Sequence, residues 1–116
     1  LDTISHHYLI ELQNVDADIL NDKDKIEKIL LRSIEGSGAT YINHYFHKFS
    51  PQGVSGVIVI AESHLSIHTW PERAYAALDV FTCGDKSIGE TIVGQILAQF
   101  NNPISQINYI QRGIIE

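Results

Sequence analysis

Residues 54–82 read VSGVIVIAESHLSIHTWPERAYAALDVFT, and three extended segments are legible in that stretch. Positions 54–61 are a nearly unbroken apolar run with the length of a buried strand. Positions 65–70 alternate, with Leu65, Ile67 and Thr69 set against Ser66, His68 and Trp70, which predicts a strand with one covered face. Pro71 has no N–H to give to a ladder and ends that strand. Positions 75–82 form a third strand, and Gly84-Asp85 turns the chain.

Working outward, Ser50-Pro51-Gln52-Gly53 is a turn signal, and positions 39–49, rich in Thr, Tyr, Ile and Phe, predict a strand before it. Toward the N-terminus, positions 8–12 are a short apolar strand and 13–18 a polar break. Asn21 or Asp22 can cap a helix whose Ile26, Ile29, Leu30 and Ile34 keep helical spacing, and Gly36-Ser37-Gly38 stops it. Beyond Gly84 a second helix carries Ile88, Ile92, Val93, Ile96, Leu97 and Phe100 on one face. Asn101-Asn102-Pro103 closes it, and positions 104–110 form a last strand. This order predicts an α+β fold, a mostly antiparallel sheet with two helices on one face. No long linker, low-complexity tract or internal repeat interrupts it.

The 116 residues suit a single domain, positions 1–116, and 44% apolar content is enough for a core. So short a domain buries a modest fraction of its surface alone, which makes a dimer a natural expectation. A net charge of −6 without a Lys/Arg cluster argues against nucleic acid as a partner, and an acidic surface would tolerate a cationic small molecule. Cys83 is the sole cysteine, so no disulfide forms within the chain, in keeping with a reducing, cytoplasmic setting. The sequence has neither a signal-peptide core nor an apolar run long enough for a bilayer, so no membrane association is expected. Methionine is absent, and Leu1 is therefore not expected to be the first translated residue.

Six histidines raise the question of a metal. In extended chain His6 and His7 point apart, as do His44 and His47, and with one cysteine and no HExxH motif the ligand set for zinc is poor. Solvated or core histidines are the simpler reading, and no metal is expected. Ser63, His68 and Cys83 form a more productive group. At a strained turn the Ser63 hydroxyl could attack the carbonyl of Glu62, converting the amide to an ester. Loss of the serine α-proton and β-elimination would leave dehydroalanine, which hydrolyses to a pyruvoyl group. Such a ketone condenses with an amine and accepts electrons as carbon dioxide departs. By pattern alone, an ordinary strand-end turn is the favoured reading of Glu62-Ser63.

The segments Gly53-Val54-Ser55-Gly56-Val57, Glu62 to Glu72 and Asp79-Val80-Phe81-Thr82-Cys83-Gly84 resemble the prokaryotic S-adenosylmethionine decarboxylase family. The similarity extends to Phe46 through Gly53 and, more loosely, to Arg112-Gly113-Ile114-Ile115. The resemblance implies a self-processing enzyme that cuts between Glu62 and Ser63, giving a β chain 1–62 and an α chain 63–116. The α chain would begin with a covalent pyruvoyl cofactor made from Ser63. Ser55 and His68 match positions that assist processing, Cys83 the donor that protonates the substrate carbon after decarboxylation, Phe49 a position stacking on adenine, and Glu72 one binding the ribose hydroxyls. Trp70, beside a proline, reads as structural packing. The implied substrate is S-adenosylmethionine and the product the aminopropyl donor for spermidine. The implied assembly is a homodimer layered α-β-β-α, with active sites near the interface.

One departure bears on substrate. After Pro71-Glu72 the family often has Tyr-Gly-Tyr-Ala-Ala, whereas this chain has Arg73-Ala74-Tyr75-Ala76-Ala77. A pyruvoyl decarboxylase of ornithine or arginine would keep the same processing residues. A non-catalytic relative serving as a binding or regulatory subunit would not need Ser55, Ser63, His68 and Cys83.

Overall fold

The computed structural model describes residues 2–115. Six strands form one antiparallel sheet in the order β2-β3-β4-β5-β1-β6. They are β1 (Asp2–Gln13), β2 (Tyr41–Lys48), β3 (Val54–Ile60), β4 (Ser63–Trp70), β5 (Tyr75–Cys83) and β6 (Ile104–Ile115). Helices α2 (Lys23–Ser33) and α3 (Lys86–Gln99) pack on one face, and a one-turn α1 (Ala17–Leu20) precedes them. A 3-10 turn over Pro71–Arg73 joins β4 to β5.

The α+β architecture is the expected one, with differences at the ends of elements. Helix α1 lies inside the predicted polar break, where the Asp16 carboxylate accepts from Asp18 N–H and caps it. It is too short for a periodic apolar signal. Strands β1 and β6 run well past their apolar cores because β1 is paired on both sides, to β5 and to β6. That ladder holds polar residues such as Thr3 and His6 extended without any local preference for it. Asp22, one of the two foreseen caps, accepts from Lys25 N–H at 3.1 Å, and α2 ends before Gly36.

The core lies between helices and sheet. Ile10, Leu12, Ile58, Leu65, Ile67 and Val80 face Ile26, Leu30, Ile92 and Ile96, all with essentially no exposure. Each contributes roughly 1.5–3 kcal/mol by burial. That outweighs the weak helix propensity of α3, whose Gly89 alone costs about 1 kcal/mol against alanine. A methyl at Gly89 would stand 2.6 Å from the Tyr8 ring and 2.9 Å from Thr82 Oγ1, so the helix settles this close only because the side chain is missing.

Among the described residues, nothing forms a covering layer on the opposite face of the sheet. Residues directly opposite across a ladder share a face. One rung runs Tyr45, Val57, Ser66, Asp79, Leu9, Asn108 and a second Asn43, Val59, His64, Phe81, His7, Ile110. Tyr45 is 66% exposed and Val59 41%. The unbroken apolar run at 54–61 suggested a strand covered on both sides; one chain covers only the side of Val54, Ile58 and Ile60.

Candidate active site

Strands β3 and β4 form a hairpin in which Ile60 pairs with Ser63, leaving Ala61 and Glu62 as the turn. Two-residue hairpin turns need positive φ, usually supplied by Gly, Asn or Asp. Here Glu62 takes φ +62°, at a cost of about 1–2 kcal/mol for a residue with a Cβ. The turn before Ser63 is thus strained, and the strain falls on the residue before the serine.

Because β5 runs antiparallel to β4, its end lies beside the start of β4. Cys83 therefore meets the turn: its Sγ lies 2.9 Å from the Glu62 carbonyl oxygen and its backbone N–H donates to Ser63 Oγ at 3.1 Å. Thiol donation would polarise that carbonyl and favour addition of the neighbouring hydroxyl. Glu62 is exposed, while Ser63 and Cys83 are half-buried.

The other predicted residues gather at the far end of β4. Ser55 and His68 oppose one another across β3 and β4, with Ser55 Oγ and His68 Nδ1 2.7 Å apart. A cavity of about 260 Å³ is lined there by Phe49, Ser55, His68, Trp70 and Glu72. Thr69 fixes this corner, its hydroxyl donating to Leu20 O and accepting from Val54 N–H. Trp70, expected as packing, is 39% exposed and opens onto the cavity, with Tyr75 5.3 Å behind its ring. Tyr75 in turn donates to the Glu11 carboxylate, and that bond, with burial, pushes its phenol up to about 12. Arg73 is exposed beside Glu72.

The two groups are not one site within a chain. Ser63 and His68 stand five positions apart on β4, about 16 Å at the usual strand rise. An odd separation also puts their side chains on opposite faces. The expected constellation of Ser63, His68 and Cys83 therefore divides: Ser63 with Cys83 at one end, His68 with Ser55, Phe49 and Glu72 at the other.

Between them lies a polar network that sequence reasoning missed. Asp79 accepts from Ser66 at 3.0 Å and sits 2.9 Å from His7 Nε2, on the uncovered face. Register alone could have found it, since Ser66 pairs with Asp79 and Leu9, beside His7, is the next residue across. His6 and His7 do point apart, as do His44, which reaches Glu27, and His47. Among the described residues no cluster of three or more His, Cys, Asp or Glu could hold a metal ion, and no helix is long and apolar enough to cross a membrane.

A family profile described as S-adenosylmethionine decarboxylase matches residues 6–113. A protein of Pyrococcus abyssi called S-adenosylmethionine decarboxylase proenzyme is 48% identical over all of this chain and 84% of its own length. One of the same name from Clostridium kluyveri is 47% identical, with 92% of its length covered. The crystal structure of the adenosylmethionine decarboxylase from Aquifex aeolicus superposes with a TM-score of 0.93 at 35% identity, covering all of this chain and 96% of that one. The chain belongs to the S-adenosylmethionine decarboxylase family.

Proposed function

We propose that this chain is a proenzyme that cleaves itself between Glu62 and Ser63 and then decarboxylates S-adenosylmethionine. The observation that carries the reading is the Glu62 turn: left-handed at the residue before the serine, with a thiol on its carbonyl. Ser63 Oγ adds to the Glu62 carbonyl carbon and the Ser63 nitrogen departs, giving an ester. A base then takes the Ser63 α-proton, and the Glu62 carboxylate leaves from Cβ. Water replaces the nitrogen of the resulting dehydroalanine as ammonia, leaving a pyruvoyl group on the chain 63–116. Relief of the left-handed strain at Glu62 favours the first step.

The pyruvoyl group would supply the electron sink for loss of carbon dioxide. The remaining work belongs to side chains. Cys83, adjacent to the new terminus, holds a proton for the substrate carbon. Phe49 and Trp70 offer aromatic faces to a nucleobase, and the Glu72 carboxylate can accept two hydroxyl hydrogens. Decarboxylated S-adenosylmethionine as an aminopropyl donor for spermidine is the matching product, and a reducing cytoplasm suits the free thiol.

We further place a second copy of the chain on the uncovered face, giving α-β-β-α layers. A sheet face left open with exposed Tyr45, Val59 and Ile110 among its residues is suited to association. A two-fold related copy, packed face to face, would bring Ser55 and His68 of the partner subunit toward Ser63 and Cys83 of the first. The cavity of one chain lies below the roughly 300–1,000 Å³ of complete small-molecule sites, as expected of half a site.

Denaturing intact-mass analysis tests the processing. Two fragments split at Glu62/Ser63 are expected, the second with a blocked N-terminus, and Ser63→Ala gives one uncut chain. A wild-type chain that stays whole on prolonged incubation sinks the reading in favour of a non-catalytic relative. Side-by-side turnover of S-adenosylmethionine, ornithine and arginine tests the substrate; carbon dioxide from either amino acid alone would reassign it.

A further inference from the structure

The structure assigns to His6 the positioning of Cys83, through the carbonyl of Gly84. His6 is 7% exposed, and each ring nitrogen has one neighbour: Nε2 lies 3.1 Å from Gly84 O and Nδ1 2.5 Å from the Tyr109 hydroxyl. A carbonyl oxygen only accepts, so Nε2 carries the hydrogen, and in the neutral ring Nδ1 accepts from the Tyr109 O–H. The Gly84 carbonyl thereby selects the tautomer, the Tyr109 hydroxyl adapts to it as donor, and the Tyr109 ring, stacked on His6 at 5.8 Å, fixes the imidazole plane.

The segment so held is the one that carries the thiol. Gly84 follows Cys83 directly and adopts φ +77°, a turn from β5 into the Asp85 cap of α3. Besides its place opposite Ser5 in the β1–β5 ladder, the Cys83–Gly84 corner has few other anchors: Cys83 N–H on Ser63 Oγ, Cys83 Sγ on Glu62 O, and a long 3.4 Å bond from Gly84 N–H to Ile4 O. The two to Ser63 and Glu62 involve the residues on either side of the proposed cleavage and are lost with it. After cleavage the His6 bond is the principal side-chain anchor remaining on that corner. His6 is thus a positioning residue for a thiol that must meet the Glu62 carbonyl before cleavage and a substrate carbon after it. This role rests on the proposed function, but its test need not.

Two variants separate donation from packing. His6→Gln can place an amide N–H where Nε2–H stands; His6→Phe keeps a ring of similar size without a donor. The first readout is alkylation of Cys83 by iodoacetamide in the uncut Ser63→Ala chain, which needs no activity. In that background His6→Phe is expected to raise the rate roughly threefold to tenfold, the range for loss of one hydrogen bond, and His6→Gln to return it toward the parent. In the Ser63 chain His6→Phe should slow self-cleavage by a similar factor, again with recovery in His6→Gln. Parent-like alkylation in His6→Phe, or equal defects in both variants, overturns the assignment. If Cys83→Ala decarboxylates normally, the proton-donor role fails while the alkylation result stands.

Discussion

The two ends of β4 hold different chemistry on the same strand. At the Ser63 end a hairpin turn is strained and a thiol lies on the Glu62 carbonyl, with the nearby His6 imidazole turned to the Gly84 carbonyl instead. At the Trp70 end there are a serine–histidine pair, two aromatics and a carboxylate around a cavity, but nothing that could be cleaved. In the proposed reading, one end reacts and the other binds. Their separation within a chain is the reason for the proposal that a complete site draws on two chains, the second lying on the uncovered sheet face between the ends.

The largest expected effect breaks that comparison outright. Ser63→Ala and His68→Ala chains, each defective alone, are refolded together and analysed by intact mass. Complementary halves predict cleaved product only from the His68→Ala chain, at most one chain in each mixed pair. No cleavage in the mixture, with mixed pairs demonstrated by native mass spectrometry, would mean that each chain depends on its own histidine.

An intermediate effect sharpens the division of labour. Cys83→Ala should lower kcat by about a hundredfold or more, as for loss of a positioned acid, and slow cleavage by roughly tenfold because its thiol touches the Glu62 carbonyl. Glu72→Gln should raise KM by about tenfold to a hundredfold, the range for a charged hydrogen-bond partner, with cleavage unchanged. The converse pattern would exchange the functions given to the two ends.

The smallest effect lies in alkali. The Tyr75 phenol, held to Glu11 behind Trp70, is raised from 10.0 to about 12. A raised folded-state value contributes stability that is present in full below about pH 10 and is lost as pH climbs through about 12. Tyr75→Phe should therefore flatten the fall in urea midpoint between those limits. Tyr8, also raised to about 12 by burial and the nearby Glu90, remains as the background. An unchanged slope would mean that the Tyr75–Glu11 bond does not hold the phenol above its ordinary range.

Much of this was legible beforehand because it depends on short-range periodicity. The alternation of Leu65, Ile67 and Thr69 against Ser66, His68 and Trp70 separates buried from accessible positions as expected. Asp22 caps α2 as expected, because a carboxylate one turn ahead of an apolar stripe has few alternatives. Less legible were contacts made by register: Cys83 on Glu62, Asp79 between His7 and Ser66, and His6 on Gly84 each join residues from separate strands. The short α1 and the outer ends of β1 and β6 escaped for the same reason, being held by partners rather than by local preference.

The sequence by itself determined the family, the element order and the pair Glu62-Ser63, since these depend on residue identity and spacing along one segment. Tertiary structure decided that Ser63 and His68 stand apart, that Cys83 rather than a histidine reaches the Glu62 carbonyl, and that the described residues leave one sheet face uncovered. The physical reason is the strand itself. Five residues of extended chain span about 16 Å and reverse the face, so neighbours in a motif become opposite ends of a site.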